Sequence, residues 1–388
     1  MARKLLLASA GAGKSEQIAR EALKRAASGG RVLLLTYTIS NQSELVRHIC
    51  HLNNFQPNNI AVKGWFSFLL EDMVRPYQRC IVPERISGTI LNSGNPHLGR
   101  SKKSGKTFNL PGRAEKITGQ CNPLHYVTKE DSRAHTHYLA KLAATIHEQT
   151  GGKAASRLAE IYDAVFVDEM QDLVGWDYAV IRAMVETSIS EVDCVGDFRQ
   201  SVYQTSETTK RPQTIAEKLA AFKDMGFEID SLAISWRCIQ NICDLADRLH
   251  ASDGHYAPTK SQVATVPPEY ADHQGVFAVP ASRVGDYIKA YNPVMLRWDR
   301  RTKKQLCEGR TVFNFGESKG LGFERVLIIP PDRHAKFLCG NTTAFDDANT
   351  DDSRNKLYVG ITRARYSVAF WHEGGSVISG AKVWNPDV

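Results

Sequence analysis

The 388-residue chain contains no stretch of eighteen consecutive apolar residues, so no segment reads as a membrane span. Its first residues, Met1-Ala2-Arg3-Lys4, lead straight into a short strand-like run. No apolar core with a small-residue cleavage site follows, so no signal peptide is expected. Cysteine is scattered: there are eight, none in a CxxC pair. That pattern gives no disulfide framework and fits a reducing compartment, so the expected location is cytoplasmic. Two looser groupings are His48 with Cys50 and His51, and Cys121 with His125, His135 and His137. Either would need four ligands converging in space to hold zinc. The preferred reading is buried thiols and surface histidines. There is also no internal repeat and no nuclease-like cluster of two acids and a lysine. Charge is not one-sided: the formal net charge of +7 is a moderate basic bias, compatible with nucleic acid without demonstrating it.

What is present is ample core material, 42% hydrophobic residues, with an ordinary 23% charged. The length fits two or three domains. Residues 4–10 read as a strand. Residues 15–27 have helical spacing (Ile18, Ala22, Leu23, Ala26) and stop at Gly29-Gly30. "RVLLLTYT" (31–38) reads as a second buried strand and 41–52 as a helix. The alternation argues for an α/β domain with a parallel sheet. From about 76 to 150 the rhythm breaks. The segment is rich in Gly, Ser, Asn and Lys, clusters Arg100, Lys102, Lys103, Lys106, Arg113 and Lys116, and reads as helix at 137–149. A charge run of this kind is most simply a solvated face. The rhythm returns in "AVFVDE" (164–169) and "EVDCVGD" (191–197), and further strands follow in "VFAVP", "NPVMLRW", "RVLIIP" and "SVAFWH". A second α/β domain from residue 211 to 388 is expected after a first domain of residues 1–210.

The chemistry begins at "LLLASAGAGKSEQ", Leu5 to Gln17. A strand, a Gly-rich turn and a helix make a phosphate loop, whose backbone N–H groups and helix N-terminus face a phosphate chain. The common spelling is Gly, four residues, then Gly-Lys-Ser/Thr, and this chain has Ala8 at the first position. Ala10, Gly11, Ala12, Gly13, Lys14 and Ser15 form the candidate cradle. Lys14 would reach the terminal phosphates and Ser15 would hold Mg2+. A second match, "GRSKKSGKT" (Gly99–Thr107), has one residue too many between its glycines and no strand before it, so it is rejected. "VFVDEMQD" (165–172) supplies the acids. Asp168 would hold Mg2+ through water and Glu169 would orient and deprotonate the attacking water, the positioning and charge neutralisation that phosphoryl transfer needs. A Glu beside the Asp favours an ATPase over a kinase-like transferase.

"VDEMQD" and "VGDFRQSVY" (195–203) together resemble superfamily 1A DNA helicases of the UvrD/Rep/PcrA type, whose phosphate loop commonly begins with Ala. The resemblance continues in order through "LLLTYTISNQSEL", "GWFSFL" (64–69), "LAISWRC" (232–238), "GESKGLGFERVLII" (316–329) and "KLYVGITRAR" (356–365). It implies an α/β fold of two RecA-like P-loop NTPase domains with parallel sheets and ATP in the cleft between them. The basic segment at 76–150 would be an atypical 1B-like insertion, and the second domain is too short for a large 2B insertion. The resemblance further implies that Gln200 senses the γ-phosphate, that Arg237 and Arg363 act as arginine fingers, and that Tyr37, Trp65, Ser67 and Tyr203 contact DNA. ATP and Mg2+ are the implied cofactors and single-stranded or tailed DNA the implied partner, with no membrane.

Four departures qualify this. The family's adenine-reading Gln upstream of the phosphate loop has no counterpart, which leaves base choice relaxed. Thr205 stands where the family has a base-stacking Trp, leaving Tyr37 and Trp65 to compensate. Gly322 replaces a ribose-binding Glu, with Glu324 two positions away. The missing 2B insertion weakens the case for duplex unwinding. The leading expectation is an ATP-driven 3′–5′ single-strand translocase or helicase. The alternatives are a DNA-sensing ATPase subunit beside a nuclease partner, in repair or phage defence, and a small-molecule kinase or NTPase.

Overall fold

The computed structural model describes residues 2–92, 94–101, 105–202, 205–206, 208–347, 351–373 and 377–385. The chain forms two compact units. One comprises Met1–Leu6, Lys14–Gly196 and Gln204–Asp230, the other Leu7–Gly13, Asp197–Tyr203 and Ser231–Val388.

The first unit is built on a six-stranded sheet in the order Glu228–Leu232, Ala2–Ala8, Glu191–Gly196, Ala164–Val167, Val32–Thr36, Ile60–Gly64. Ala164–Val167 pairs in parallel with both Glu191–Gly196 and Val32–Thr36, and the latter pairs in parallel with Ile60–Gly64. Every residue of "AVFV" and "VLLLT" is buried, as central strands covered on both faces must be. The helix Lys14–Ala27 buries Ile18, Ala19, Ala22 and Ala26 along one stripe, with Glu16 in its first turn and Lys24 and Arg25 in its last. Those charges suit the helix dipole. The next helix, Ile39–Asn53, is capped by Thr38, whose hydroxyl accepts from the Asn41 N–H. The strand Ile60–Gly64 was not anticipated, because its three half-exposed central residues mark a sheet edge and not a buried run.

Residues 76–150 contain few long elements. After a single turn at Gln78–Cys80 come two separate antiparallel ribbons, Leu98–Arg100 with Thr107–Asn109 and Lys116–Ile117 with Gln120–Cys121. The helix Thr136–Gln149 then packs Leu139, Leu142, Ala143 and Ile146 inward. Gly99 and Arg100 at one end of the rejected phosphate-loop match, and Thr107 at the other, thus lie in paired strands.

The second unit holds a fully parallel six-stranded sheet in the order Val312–Asn314, Val294–Arg297, Phe323–Ile328, Ala364–His372, Gly275–Pro280, Lys382–Val383. Its core splits into two layers. One gathers Ile242, Leu296, Val326, Ile328, Leu357 and Phe370, and the other Val279, Tyr287, Met295, Leu327 and Ala369. Successive residues of each strand alternate between these layers. Two parallel α/β sheets with helices on their faces make this a pair of RecA-like domains. Among the described residues no helix is long and apolar enough to cross a membrane.

Candidate functional site

Within the first unit, the strand Ala164–Val167 delivers Asp168 to the end of the sheet, where its N–H donates to Leu35 O at 2.8 Å. Asp168 is buried and its carboxylate is doubly engaged. Ser15 Oγ donates to Oδ2 at 2.9 Å and the Glu169 N–H to Oδ1 at 2.8 Å. Burial, reinforced by the neighbouring Glu169 charge and opposed by Lys14 and Ser15, pushes the Asp168 carboxyl up to about 7. A carboxylate so desolvated is stabilised by a cation. Two oxygen donors this close, a hydroxyl and a carboxylate, suit a hard ion such as Mg2+. Glu169 has a left-handed backbone (φ 56°), accepts from Gln171 Nε2 and is half-buried.

Within the second unit lies the phosphate-loop segment Leu7–Gly13. Gly11 (φ 74°) and Gly13 (φ 79°) adopt the left-handed region, and a Cβ on Gly11 would stand 2.6 Å from Arg237 Cβ. Only glycine fits there on both counts. The segment Ser235–Arg237 is laid against the loop: Ser235 Oγ donates to Ala10 O at 2.8 Å, and the Trp236 N–H to Gly11 O at 2.9 Å. Gln200 Nε2 donates to Asp197 Oδ2 at 2.8 Å, and Gln200 Oε1 accepts from Arg363 Nη2 at 3.0 Å. Arg363 is fully buried. Its other bonds go to Val359 O, Leu321 O and Thr362 Oγ1, all neutral acceptors. Burial and the Arg237 charge push its guanidinium below the ordinary value. Arg237 is half-buried and donates from Nη1 to Thr362 O at 3.3 Å. Two neighbouring guanidiniums, one fully buried on neutral oxygens, form a locus that an anion would stabilise.

Sequence reading missed the network that ties these pieces together. Tyr358 OH donates to Asp197 Oδ2 at 3.1 Å and accepts from the Ala10 N–H at 3.3 Å. Arg199, buried, donates to Asp197 Oδ1 at 3.0 Å, Asp247 Oδ1 at 2.9 Å and Ser9 Oγ at 2.9 Å. Its guanidinium lies 4.5 and 4.6 Å from the ring centres of Tyr256 and Tyr358. Burial opposes the Arg199 charge, but Asp197 and the other anionic groups around it hold its pKa above the ordinary value. The signal available in sequence was the acid-rich strand end "VGD" followed two residues later by Arg. Its partners at 247, 256 and 358 are too remote in sequence to be read from it. Trp236, 64% exposed beside the loop, was likewise passed over in favour of Arg237.

The DNA-contact expectations fare unevenly. Tyr37 is half-buried, with its ring edge-on to Phe66 at 5.8 Å, and Ser67 is exposed. Tyr203 lies outside the described residues. Trp65 requires correction: it is 1% exposed, and its Nε1–H donates to Asp177 Oδ1 at 2.7 Å. Thr205, at the position of the family's stacking Trp, is also buried and donates to the other oxygen of Asp177. Both therefore serve a buried carboxylate and neither offers a face to a base. Gly322 packs close to Arg237, where a Cβ would stand 3.4 Å from Nε, and Glu324 lies 3.6 Å from Arg365. His125 and His135 are buried and not on the surface. No group of three or more His, Cys, Asp or Glu among the described residues is placed to hold a metal.

In comparison with known proteins, residues 104–209 match the family model of the UvrD/REP helicase N-terminal domain. The match covers 106 of the 388 residues. The matched stretch includes the acids at 168 and 169 and the Asp197–Gln200 turn, so the likeness takes in part of the geometry just described. Among solved structures, the arterivirus nonstructural protein 10 helicase, in complex with DNA, aligns with a TM-score of 0.48 and 13% identity. The alignment covers 96% of this chain and 61% of that chain. No curated protein sequence matches the chain significantly.

Proposed function

We propose that this protein is a DNA-dependent ATPase that couples Mg-ATP hydrolysis to 3′–5′ movement along single-stranded DNA. The observation that carries the nucleotide half is the Ser15–Asp168 contact at 2.9 Å, at the end of a parallel strand and directly after a phosphate loop. The loop N–H groups of Ala10, Gly11, Ala12 and Gly13 would cradle the phosphates, and Lys14 would neutralise the terminal ones. Ser15 and Asp168 would hold Mg2+, which supplies charge neutralisation at the β- and γ-oxygens when bound. Glu169 would orient the attacking water and take its proton. Arg237 and Arg363 would meet the charge that develops on the transferred phosphoryl group. Gln200, bonded to both Asp197 and Arg363, would register that charge. The family match supports DNA as the track.

A second reading, a DNA-sensing ATPase subunit working beside a nuclease, is favoured by one observation: Trp65 and Thr205 are both internal. Base stacking contributes about 1–3 kcal/mol per base, so grip on the strand is weaker without them. Steady-state ATP hydrolysis with and without an oligo-dT strand, followed by displacement of a labelled strand from a tailed duplex, separates the two. The first reading expects stimulation and displacement, the second stimulation alone. Absence of stimulation removes both and leaves a small-molecule NTPase.

A further inference from the structure

The proposed hydrolysis uses Asp168 and Glu169 and gives no part to Gln171, two residues further on. Gln171 is buried in the single turn Met170–Asp172 that follows the strand Ala164–Val167. A buried amide has to be placed with care, because an unmatched polar atom there is costly. Its Nε2 donates to Glu169 Oε2. The opposite orientation would set a carbonyl oxygen against a carboxylate, which can only accept, so the contact itself fixes which way the amide points. Its Oε1 lies over Gly196, where a Cβ would stand 2.6 Å away, with the Gln171 and Met170 backbone nitrogens at 3.1 and 3.3 Å. The backbone at 196 is not left-handed, so glycine serves there by its size: it leaves room for the turn and for the amide.

The turn is also tied down along its backbone. The Asp172 N–H donates to Glu169 O at 3.1 Å and the Leu173 N–H to Met170 O at 3.2 Å. From a separate element, the helix Ile215–Asp224, the buried Lys218 extends Nζ to Gln171 O at 2.7 Å. Gln171 is therefore fixed at main chain and side chain alike. Glu169 differs: it is half-buried and its backbone is left-handed, a conformation that a residue with a side chain keeps only where its surroundings hold it.

The kind of donor matters as much as its position. A general base must be aimed at its water within hydrogen-bond reach. A lysine or arginine at 171 would also hold the Glu169 carboxylate, but its charge would favour the ionised form and weaken it as a base. An amide donates without bringing a charge and has no place for the proton that Glu169 takes up. We propose that Gln171 is a positioning residue for ATP hydrolysis, its buried amide holding the Glu169 carboxylate in the direction of the attacking water. This rests on the reading of Glu169 as the residue that activates water.

The test is single-turnover hydrolysis of radiolabelled ATP by the full chain with Mg2+ and dT20, beside titration with a fluorescent nucleotide. Gln171→Met keeps the length and bulk of the side chain without the amide. It is expected to slow hydrolysis about tenfold or more, a share of the 10²–10⁴ that a general base supplies. Nucleotide affinity should stay within about threefold, since the contact is made to the base and not to the nucleotide. Gly196→Ala, which crowds the amide oxygen and leaves Gln171 in the sequence, is expected to slow hydrolysis in the same way and serves if the methionine variant does not fold. The deciding comparison is made on Glu169→Asp, whose carboxylate is withdrawn from the amide by one methylene and which should be slow but measurable. There Gln171→Met or Gly196→Ala should cost less than about twofold more, because groups that act as a unit do not add. A role in packing alone would cost the same factor in both backgrounds. Thermal midpoints within a few degrees of the parent show that the variants are folded. A folded Gln171→Met protein that hydrolyses ATP at the parent's rate overturns the proposal, as does an equal loss in the two backgrounds or a loss of nucleotide affinity that matches the loss of rate. A parent without hydrolysis, or a Glu169→Asp protein as fast as the parent, removes the underlying reading of Glu169 instead, and the proposal with it. That outcome is distinct from an active, Glu169-dependent parent that is indifferent to Gln171.

Discussion

Arg363 illustrates how the candidate catalytic residues differ from ordinary buried charges. A buried guanidinium is normally matched by a carboxylate, as Arg199 is by Asp197 and Asp247. Arg363 instead bonds neutral oxygens, with Arg237 as a like-charged neighbour. An arginine finger typically contributes 10³–10⁵ in turnover. Arg363→Ala is therefore expected to lower kcat for ATP by about 10³-fold or more while nucleotide affinity changes only a few-fold. Equal losses in both, measured by turnover and by fluorescent-nucleotide titration, would reject the finger role. Arg363→Lys, which keeps the charge without the fork, guards against a merely unfolded alanine variant. Lys14→Ala should abolish hydrolysis altogether. Tyr358→Phe keeps the ring against Arg199 but removes the hydroxyl joining Ala10 N–H to Asp197. A net hydrogen bond of about 1–1.5 kcal/mol translates to roughly a five- to tenfold fall in kcat with KM nearly unchanged. A parent-like kcat would mean that the link is only structural.

At the scale of elements, what could be read in advance was whatever has a local cause. The strands at 32–36 and 164–167 are continuous apolar runs, and the helix at 14–27 has a clear apolar stripe between capping signals. The contact between Ser15 and Asp168 follows because the functional groups of parallel α/β sheets gather at strand ends. What could not be read depends on tertiary direction. Nothing in "GWFSFL" tells that Trp65 turns inward to Asp177 while Ser67 turns out. The region 76–150 has no period to follow because its ribbons are two or three residues long. The inward placement of Trp65 has its own consequence. Trp65→Phe removes the Nε1–H from a buried carboxylate and should cost about 1–3 kcal/mol of stability, seen in chemical denaturation with little change in DNA affinity. A tryptophan acting on DNA would give the reverse.

The histidines of the insertion add a pH dependence at the same scale. His97 and His135 are held down to about 4, and His125 is lowered as well, in each case chiefly by burial. His97 stacks on Tyr138 at 4.5 Å and lies 4.5 Å from His125, so protonating one ring places a charge among apolar and like-charged neighbours. Between pH 6.5 and about 4 the unfolded chain binds protons that the folded insertion refuses. Stability is therefore complete above 6.5 and falls as pH drops through that window. Lower thermal midpoints at pH 5.5 than at 7.5, reduced in a His97→Phe/His135→Phe variant, are the expected result. A midpoint unchanged between the two pH values would show that these rings titrate normally.

For the molecule as a whole, the modest net charge of +7 bears on how the protein would hold DNA under the proposed function. Phosphate contacts release counterions, so affinity for a single strand falls with salt by about 0.7 per contact on a log–log scale. Stacking contacts are far less sensitive to salt. Since Trp65 and Thr205 are internal, phosphate contacts should account for most of the grip of the RecA-like domains. Hydrolysis stimulated by single-stranded DNA is thus expected to decline steeply between 50 and 200 mM salt through a rising apparent KM for DNA, by about 10-fold or more for three or four contacts. The maximal rate at saturating DNA should change much less, because Ser15, Asp168, Gln200 and Arg363, the groups proposed to act on ATP, are each buried or half-buried and screened little by salt. Titrating DNA into the ATPase reaction at each salt concentration separates the two quantities. A maximal rate that collapses in parallel with DNA affinity would mean that salt acts on the ATP site itself, and the division between a screened DNA grip and a shielded hydrolytic centre would be wrong.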